Sequence, residues 1–498
     1  MSPAPARQTR PERAPGRRLA AGLALPGVAL LLALASPSLA APPPEGHCPG
    51  FHDAPDAISE DAVPRRMAPG IPLGYDHLPS LQDLLPEEIW SNRRVFFYPG
   101  MRMLIGDCHR RYPVPAFFEE ATRAHSEQVK LDDEGNLAGY VAGLPFPPER
   151  IDPKAPDAGL RWAWNLEHRF RGAGPVGRFR IVDVASRMGG DQTYEGEFFF
   201  LQTSHRADLA ASGYAEPDAR GNLWVAGGRF AEPTDARHLA WRQMRSEQTL
   251  EDYDHPDDTF VYVPTMRKMR RAPSAWVDGI YMPRYRVSGD AGGGGLPIGG
   301  EAFSGPQGSI QPTAGESIRV TDNLRVGFTA LALRPNGYVW RLRGEREVIA
   351  PLNVAWPGWP IEPERNFGPF GLSVASDRWD VRWAVVIDGI PRERTEYEML
   401  TLYVDWQTQQ PLYVVTKTRR GRILEVGIPV HRYSEDTLNY PGWPNGEPAR
   451  VFDPVAEVFY RVSDDSGWRR ESYDVHSTPS DPRLRRRFTA SDYLERGR

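Results

Sequence analysis

The densest group of titratable side chains is Glu251-Asp252-Tyr253-Asp254-His255-Pro256-Asp257-Asp258. Clustered carboxylates can hold a divalent cation, but the ligand spacing of a calcium loop is absent and Pro256 marks a turn. The stretch therefore reads as a solvated acidic loop. Shortly after it come Arg267, Lys268, Arg270 and Arg271. Such a run can grip a lipid headgroup or an acidic partner, or it can be a charged edge strand that discourages sheet-to-sheet pairing. Cys48 and Cys108 are the two cysteines, with His47, His52 and His109 nearby. That set matches no zinc spacing, and a disulfide is favoured over a metal site. Two near-repeats, Trp356-Pro357-Gly358-Trp359-Pro360 and Tyr440-Pro441-Gly442-Trp443-Pro444, put aromatics on loops. They could stack on sugar rings or acyl chains, or they could stiffen the turns. No nucleophile elbow, phosphate loop, His-Glu-x-x-His helix or calcium loop occurs, so neither catalysis nor a cofactor nor a metal is expected.

The element best placed to hold a ligand is an antiparallel meander over residues 380–430. Val381, Trp383, Val385 and Ile387 alternate with their neighbours, and so do Leu400, Leu402, Val404 and Trp406. Leu412, Val414 and Thr416 follow, then Leu424, Val426, Ile428 and Val430. Tight turns at 407–410 and 419–421 join these runs into four strands with one apolar face. That face must be covered by a helix, a second sheet or a ligand. Trp383, Val385, Leu402, Val404, Val414 and Val426 are the candidate ligand-binding residues. Further strands are expected around 179–184, 196–202, 259–263, 326–333, 337–342 and 347–350. A short helical turn is expected at 81–90 and a helix at about 115–130, where Phe117, Phe118, Ala121, Ala124 and Val129 make one apolar side. Glycines cluster between Ser288 and Gly315, which reads as a mobile loop.

The ends of the chain carry addressing information. Arg7, Arg10, Arg13, Arg17 and Arg18 precede an apolar run from Leu19 to Ala35 and the small residues of Ser36–Ala41. This reads as a secretory signal peptide over residues 1–40, cleaved after Ala40. The general export pathway fits better than a twin-arginine signal, and no lipidation cysteine follows the apolar run. The run is too short and too broken by Pro26 to span a membrane. Removing residues 1–40 shifts the formal charge from −5 to −9, which disfavours nucleic acid or an anionic lipid surface as a partner. Residues 41–80 are proline-rich and read as an extended arm, 81–480 as one domain, and 481–498 as a basic tail. With 40% hydrophobic and 25% charged residues, 47 glycines and 49 prolines, the 498-residue chain is globular, turn-rich and mainly β.

Several strings resemble known proteins. Asp405-Trp406-Gln407-Thr408-Gln409-Gln410-Pro411-Leu412 resembles the late hairpin of the outer-membrane lipoprotein carriers, and the segment Thr259–Pro273 looks like a strand of that group. Tyr98-Pro99-Gly100-Met101-Arg102, Gly139–Pro147, Trp164-Asn165 with His168 and Arg171-Gly172, and Tyr338–Glu347 are typical of the domain-of-unknown-function family thirteen-twenty-nine. The resemblance implies a periplasmic, mainly β protein with a few helices (α+β). Its fold would be a curved antiparallel half-barrel with a helical lid, LolA/LolB-like. It implies a non-enzymatic carrier of a lipid, lipoprotein acyl chain or other hydrophobic ligand, serving an exporter of the resistance-nodulation type, and it tips the Arg267–Arg271 run towards docking. The alternative from the residues is a cell-envelope carbohydrate-binding or carbohydrate-active β-sandwich dependent on Trp359 or Trp443.

Overall fold

A computed structural model describes residues 42–51, 67–184, 192–233, 237–264, 267–272, 280–288, 317–326, 332–355, 367–368, 371–393, 395, 397–462, 467–477, 486–488 and 492–495. The expected signal peptide and the glycine-rich loop at 288–315, beyond Ser288 itself, lie outside the described residues. The strands are, in chain order, β1 Pro72–Leu73, β2 Met103–Cys108, β3 Lys130–Leu131, β4 Leu137–Ala138, β5 Val176–Val184, β6 Gln192–Gln202, β7 Asn222–Glu232, β8 Ala240–Ser246, β9 Asp258–Val263 and β10 Lys268–Ala272. They continue with β11 Ile280–Ser288, β12 Ser317–Val326, β13 Tyr338–Ala350, β14 Arg378–Pro391, β15 Met399–Asp405, β16 Pro411–Lys417, β17 Ile423–Tyr433, β18 Phe452–Arg461 and β19 Gly467–His476. Helices are α1 Glu87–Ser91, α2 Arg93–Phe96, α3 Ala116–His125 and α4 Ala158–Glu167.

Fifteen strands form one sheet in the order β1-β2-β14-β15-β16-β17-β18-β19-β5-β6-β7-β8-β9-β10, with β13 also on β14. Only β2 on β14 is parallel within it. The expected meander is present as β14 to β17, each strand hydrogen-bonded to the next. Its turns are tight because Gln409 and Gly421 take positive φ, 56° and 79°. The runs expected at 337–342 and 347–350 are one strand, β13, with a bulge between Leu342 and Gly344. The helix expected at 115–130 is α3, starting one residue after Pro115 and tightening into a 3-10 turn over Ser126–Gln128. Ahead of it, Tyr75–Leu84 is a 3-10 helix where the sequence suggested extended chain up to residue 80.

Each face of the sheet buries its own core. On one face, Val385, Leu402, Val404 and Val414 share a cluster with Trp224, Trp241 and Val261 from β7, β8 and β9. Those strands stand near opposite ends of the sheet order, so the sheet is curved around this face, which we call inner. Among the described residues the sheet does not close: β1, β13 and β10 each pair with one strand alone. On the outer face, Val381, Val386, Tyr403, Val415, Val426 and Ile428 pack with Leu81, Leu84, Ile89 and Phe96 from the N-terminal segment. Cys48 and Cys108 form a disulfide that ties the arm to β2. Phe488, Tyr493 and Leu494, from the stretch expected as a basic tail, are buried against Phe199 and Tyr262.

Candidate ligand-binding face

The six apolar residues singled out in the meander do not all share one face. Val385, Leu402, Val404 and Val414 point inward and are at most 2% exposed. Val426 stands opposite Val415 and points outward, while Gly427 takes the inner position opposite Val414. Trp383 is half-buried, and its Nε1–H donates to Glu345 Oε2 at 3.1 Å. Burial raises the Glu345 carboxyl above its ordinary range, opposed by that hydrogen bond.

Helix α4, which was not among the expected elements, covers the inner face over β13 and β14. Ala158, Trp162, Ala163, Trp164 and Leu166 are all buried. Gly159 allows the close approach, because a Cβ there would sit 2.8 Å from the Arg341 and Leu342 backbone. Trp164 Nε1–H donates to the Gly135 carbonyl at 3.1 Å, and the amides of Asn165 and Phe146 bond reciprocally.

Beyond the C-terminus of α4 lies a buried polar band. Glu167 stands 3.7 Å from Arg171, and burial raises its carboxyl. Arg169 donates to Gln410 Oε1 at 3.0 Å and to the Leu166 carbonyl at 2.6 Å. His168 is pressed between Tyr140 and Trp164, with centroids 4.1 and 5.7 Å away, and burial holds it well below the ordinary histidine range, hence neutral. On the sheet beneath, Arg469 Nε–H donates to Glu471 Oε1 at 2.5 Å, and its guanidinium lies 4.1 Å from the centre of the Phe459 ring.

The acidic stretch at 251–258 is not wholly solvated, as its composition suggested. Asp257 is 1% exposed and accepts from Arg245 at 3.0 and 2.9 Å, Arg334 at 2.7 Å and Gln243 at 2.9 Å. Burial alone would raise its pKa, but the two guanidinium groups outweigh that and hold it ionised below the usual range. Arg245 also donates to the Ala332 and Leu333 carbonyls, and Arg334 to those of Tyr253 and His255. Asp257 thus clasps β8 to the segment that leads into β13, drawing the two sides of the curved sheet together.

The other expectations fall as follows. Arg267, in the turn before β10, and Arg271, within it, are exposed, and Arg271 pairs with Asp258. Lys268 and Arg270 belong to β10, but their side chains lie outside the described residues. Trp359 also lies outside them. Trp443 is 5% exposed and packs on Phe117 with ring centroids 4.8 Å apart, so it stiffens its loop and offers no stacking surface. Among the described residues there is no group of three or more His, Cys, Asp or Glu that could hold a metal, and no helix long and apolar enough to cross a membrane.

Residues 82–285 match the model of the family described as Protein of unknown function (DUF1329). This is the family to which the strings at 98–102, 139–147, 164–172 and 338–347 pointed; the first three lie inside the match and the fourth lies outside it. A Pseudomonas aeruginosa protein described as uncharacterized is 25% identical over 322 residues, which is 64% of this chain; the alignment spans 60% of that relative's length. A DUF1329 family protein from Desulfovibrio piger aligns over 69% of this chain and 99% of its own, at 12% identity and a TM-score of 0.38. A putative outer membrane lipoprotein-sorting protein domain from Vibrio parahaemolyticus aligns over 68% and 100%, at 12% identity and 0.36. A LolA superfamily protein from Nitrosomonas europaea aligns over 68% and 98%, at 15% identity and 0.30.

Proposed function

We propose that the chain is a non-enzymatic periplasmic carrier that holds a lipid, a lipoprotein acyl chain or another apolar ligand between the inner face and α4. The observation behind this reading is the convergence of apolar side chains from both sides of the curved sheet beneath one short helix. Burying apolar area is worth about 25 cal/mol per Å², so a ligand laid along that face binds without a charged anchor. In the structure α4 occupies the face. Ligand and helix therefore compete, and the apparent affinity is reduced by the fraction of molecules in which α4 has lifted. Val385, Leu402, Val404 and Val414, with Trp383 at the margin, would line the space so opened; Val426 would act from behind the strand. The disulfide fits an oxidising compartment, in keeping with export and loss of residues 1–40. Transfer to an exporter of the resistance-nodulation type, with Arg267, Lys268, Arg270 and Arg271 as the docking edge, completes the reading.

The test is native mass spectrometry of the protein purified from periplasm, with organic extraction of whatever accompanies it. A discrete added mass that extracts as lipid is the expected result. A clean unliganded mass, unchanged after incubation with membrane lipids, would overturn the reading.

A further inference from the structure

Strand β13, an edge among the described residues, carries an apolar pair with arginines nearby. Val339 and Ile390 face each other in register across β13 and β14, yet they are 56% and 46% exposed. Most other large apolar side chains of this corner are covered: α1 reaches as far as Lys417, whose ammonium donates to Glu88 at 2.6 Å, and the cover stops there. The pair lies in a continuous row. Gly389 stands opposite Leu400, so Met399 follows Ile390 across the sheet, and Met399 stands opposite Lys417 at the β16–β17 hairpin. At a strand spacing of about 4.8 Å, three steps place that hairpin about 15 Å from Val339.

Around this row the arginines outnumber the acids. Arg341 and Arg343 follow Val339 on β13, and the hairpin presents Arg419, Arg420 and Arg422, all exposed, against Asp388 opposite Arg341, Glu393 and Glu398. Arg343 reaches Asp388 at 3.6 Å. Glu398, the nearest acid to the hairpin, is engaged by the backbone N–H of Arg419, and Arg341, Arg420 and Arg422 have no ion-pair partner among the described residues. Charges that only guard an edge strand against pairing are needed on that strand. Such a role explains neither the three hairpin arginines, three strands inward, nor an exposed valine–isoleucine pair. A basic corner with an apolar centre is complementary to a surface of phosphates over hydrocarbon, against what the net charge of −9 after loss of residues 1–40 would favour for the molecule as a whole.

We infer that this corner docks the protein on an anionic phospholipid bilayer, the arginines meeting lipid phosphates while Val339 and Ile390 enter the acyl boundary. The inference is independent of what the inner face carries.

The test is flotation of the periplasmic protein with vesicles of phosphatidylglycerol and phosphatidylcholine, and with phosphatidylcholine alone. Binding to the anionic vesicles, weakening as salt rises, is expected. R341E with R420E should weaken it at least about tenfold, and V339D should weaken it less. R178E, an exposed arginine on β5 far along the sheet order, should bind as the parent does. Failure to bind anionic vesicles, equal binding to both compositions, or unaltered binding of R341E with R420E would each overturn the inference. Loss of binding in R267E alone would move the docking to β10 and overturn it too. The substituted side chains are exposed, so an unchanged melting temperature separates lost docking from lost folding. The co-purifying mass, measured on the same preparations, reports separately on the carrier reading.

Discussion

On the outer face of the sheet the cover is stapled. The Cys48–Cys108 bond fixes the arm to β2, and Glu88 of α1 takes the Lys417 ammonium and the Tyr403 hydroxyl in a buried site. Burial would raise the Glu88 carboxyl, but Lys417 outweighs it and keeps it ionised. On the inner face the cover is α4, held by packing, a few hydrogen bonds and the ionic band beyond its end, with no covalent tie. The two sides of the sheet that this helix bridges are drawn together by Asp257 and its two arginines. In the carrier reading, the difference makes α4 the layer that moves. A cover that must lift to admit a ligand has to be one whose attachments break and re-form reversibly.

Four measurements would break or sharpen that contrast. Asp257→Ala leaves Arg245 and Arg334 buried without their counter-charge, so a loss of about 3–5 kcal/mol in urea unfolding is expected; a loss below about 1 kcal/mol would mean that the clasp does not hold the inner face together. Replacing both cysteines by serine should cost roughly 2–4 kcal/mol and expose the arm to protease before α4. If protease instead reached residues 158–167 first, the stapled face would not be the firmer one. Gly159→Ala pushes a methyl into the β13 backbone, for an expected cost of about 1–3 kcal/mol and, in the carrier reading, tighter uptake of lipid because α4 is less well seated. Stability lost without any gain in uptake would count against α4 as the moving part.

The fourth concerns pH. Burial raises Asp380, behind the outer face, from 3.8 to about 6, although the Tyr112 O–H, which donates to it at 2.6 Å, pulls the other way. The native state therefore holds that proton more tightly than the unfolded chain does. Its contribution to stability is fully present below about pH 4 and is lost as pH rises through about 6. Asp380→Asn should remove this component, altering the slope of stability against pH by at most about 1.4 kcal/mol per unit within that window. An unchanged slope would show that Asp380 does not titrate there.

How far the sequence could be read depended on what each element buries. The meander was legible because its strands alternate or run apolar between clear turns, and β14 to β17 fall where that pattern puts them. The assignment of its faces was not legible, since both faces are buried and a period-two pattern looks alike from either side; hence Val426 lies behind Val414 and not beside it. Helix α4 escaped because it is only ten residues long and buries the polar Asn165 and Glu167 along with its apolar side chains, which blurs the stripe. Strand β7 was hidden by Gly227-Gly228 in its middle, which leave room for the Trp241 ring and backbone. Strand β19 was hidden because its inward residues include the paired charges Arg469 and Glu471, where alternation would call for apolar side chains. The clasp at Asp257 joins residues from separate stretches of the chain, and only Asp257 itself stood in a segment with a local signal.

One pairing described above also sets an order of events. The last strand, β19, lies between β18 and β5, so Trp468 stands opposite Val184. A chain made from its N-terminus produces β5 to β10 long before the strand that joins them to the meander. Until the final residues arrive, β5 is an unpaired edge and its half of the sheet cannot finish folding. Synthesis must then outlast any holding of that half in an unfolded state, and a chain cut short near its end would leave the most interior pairing of the sheet open to aggregation.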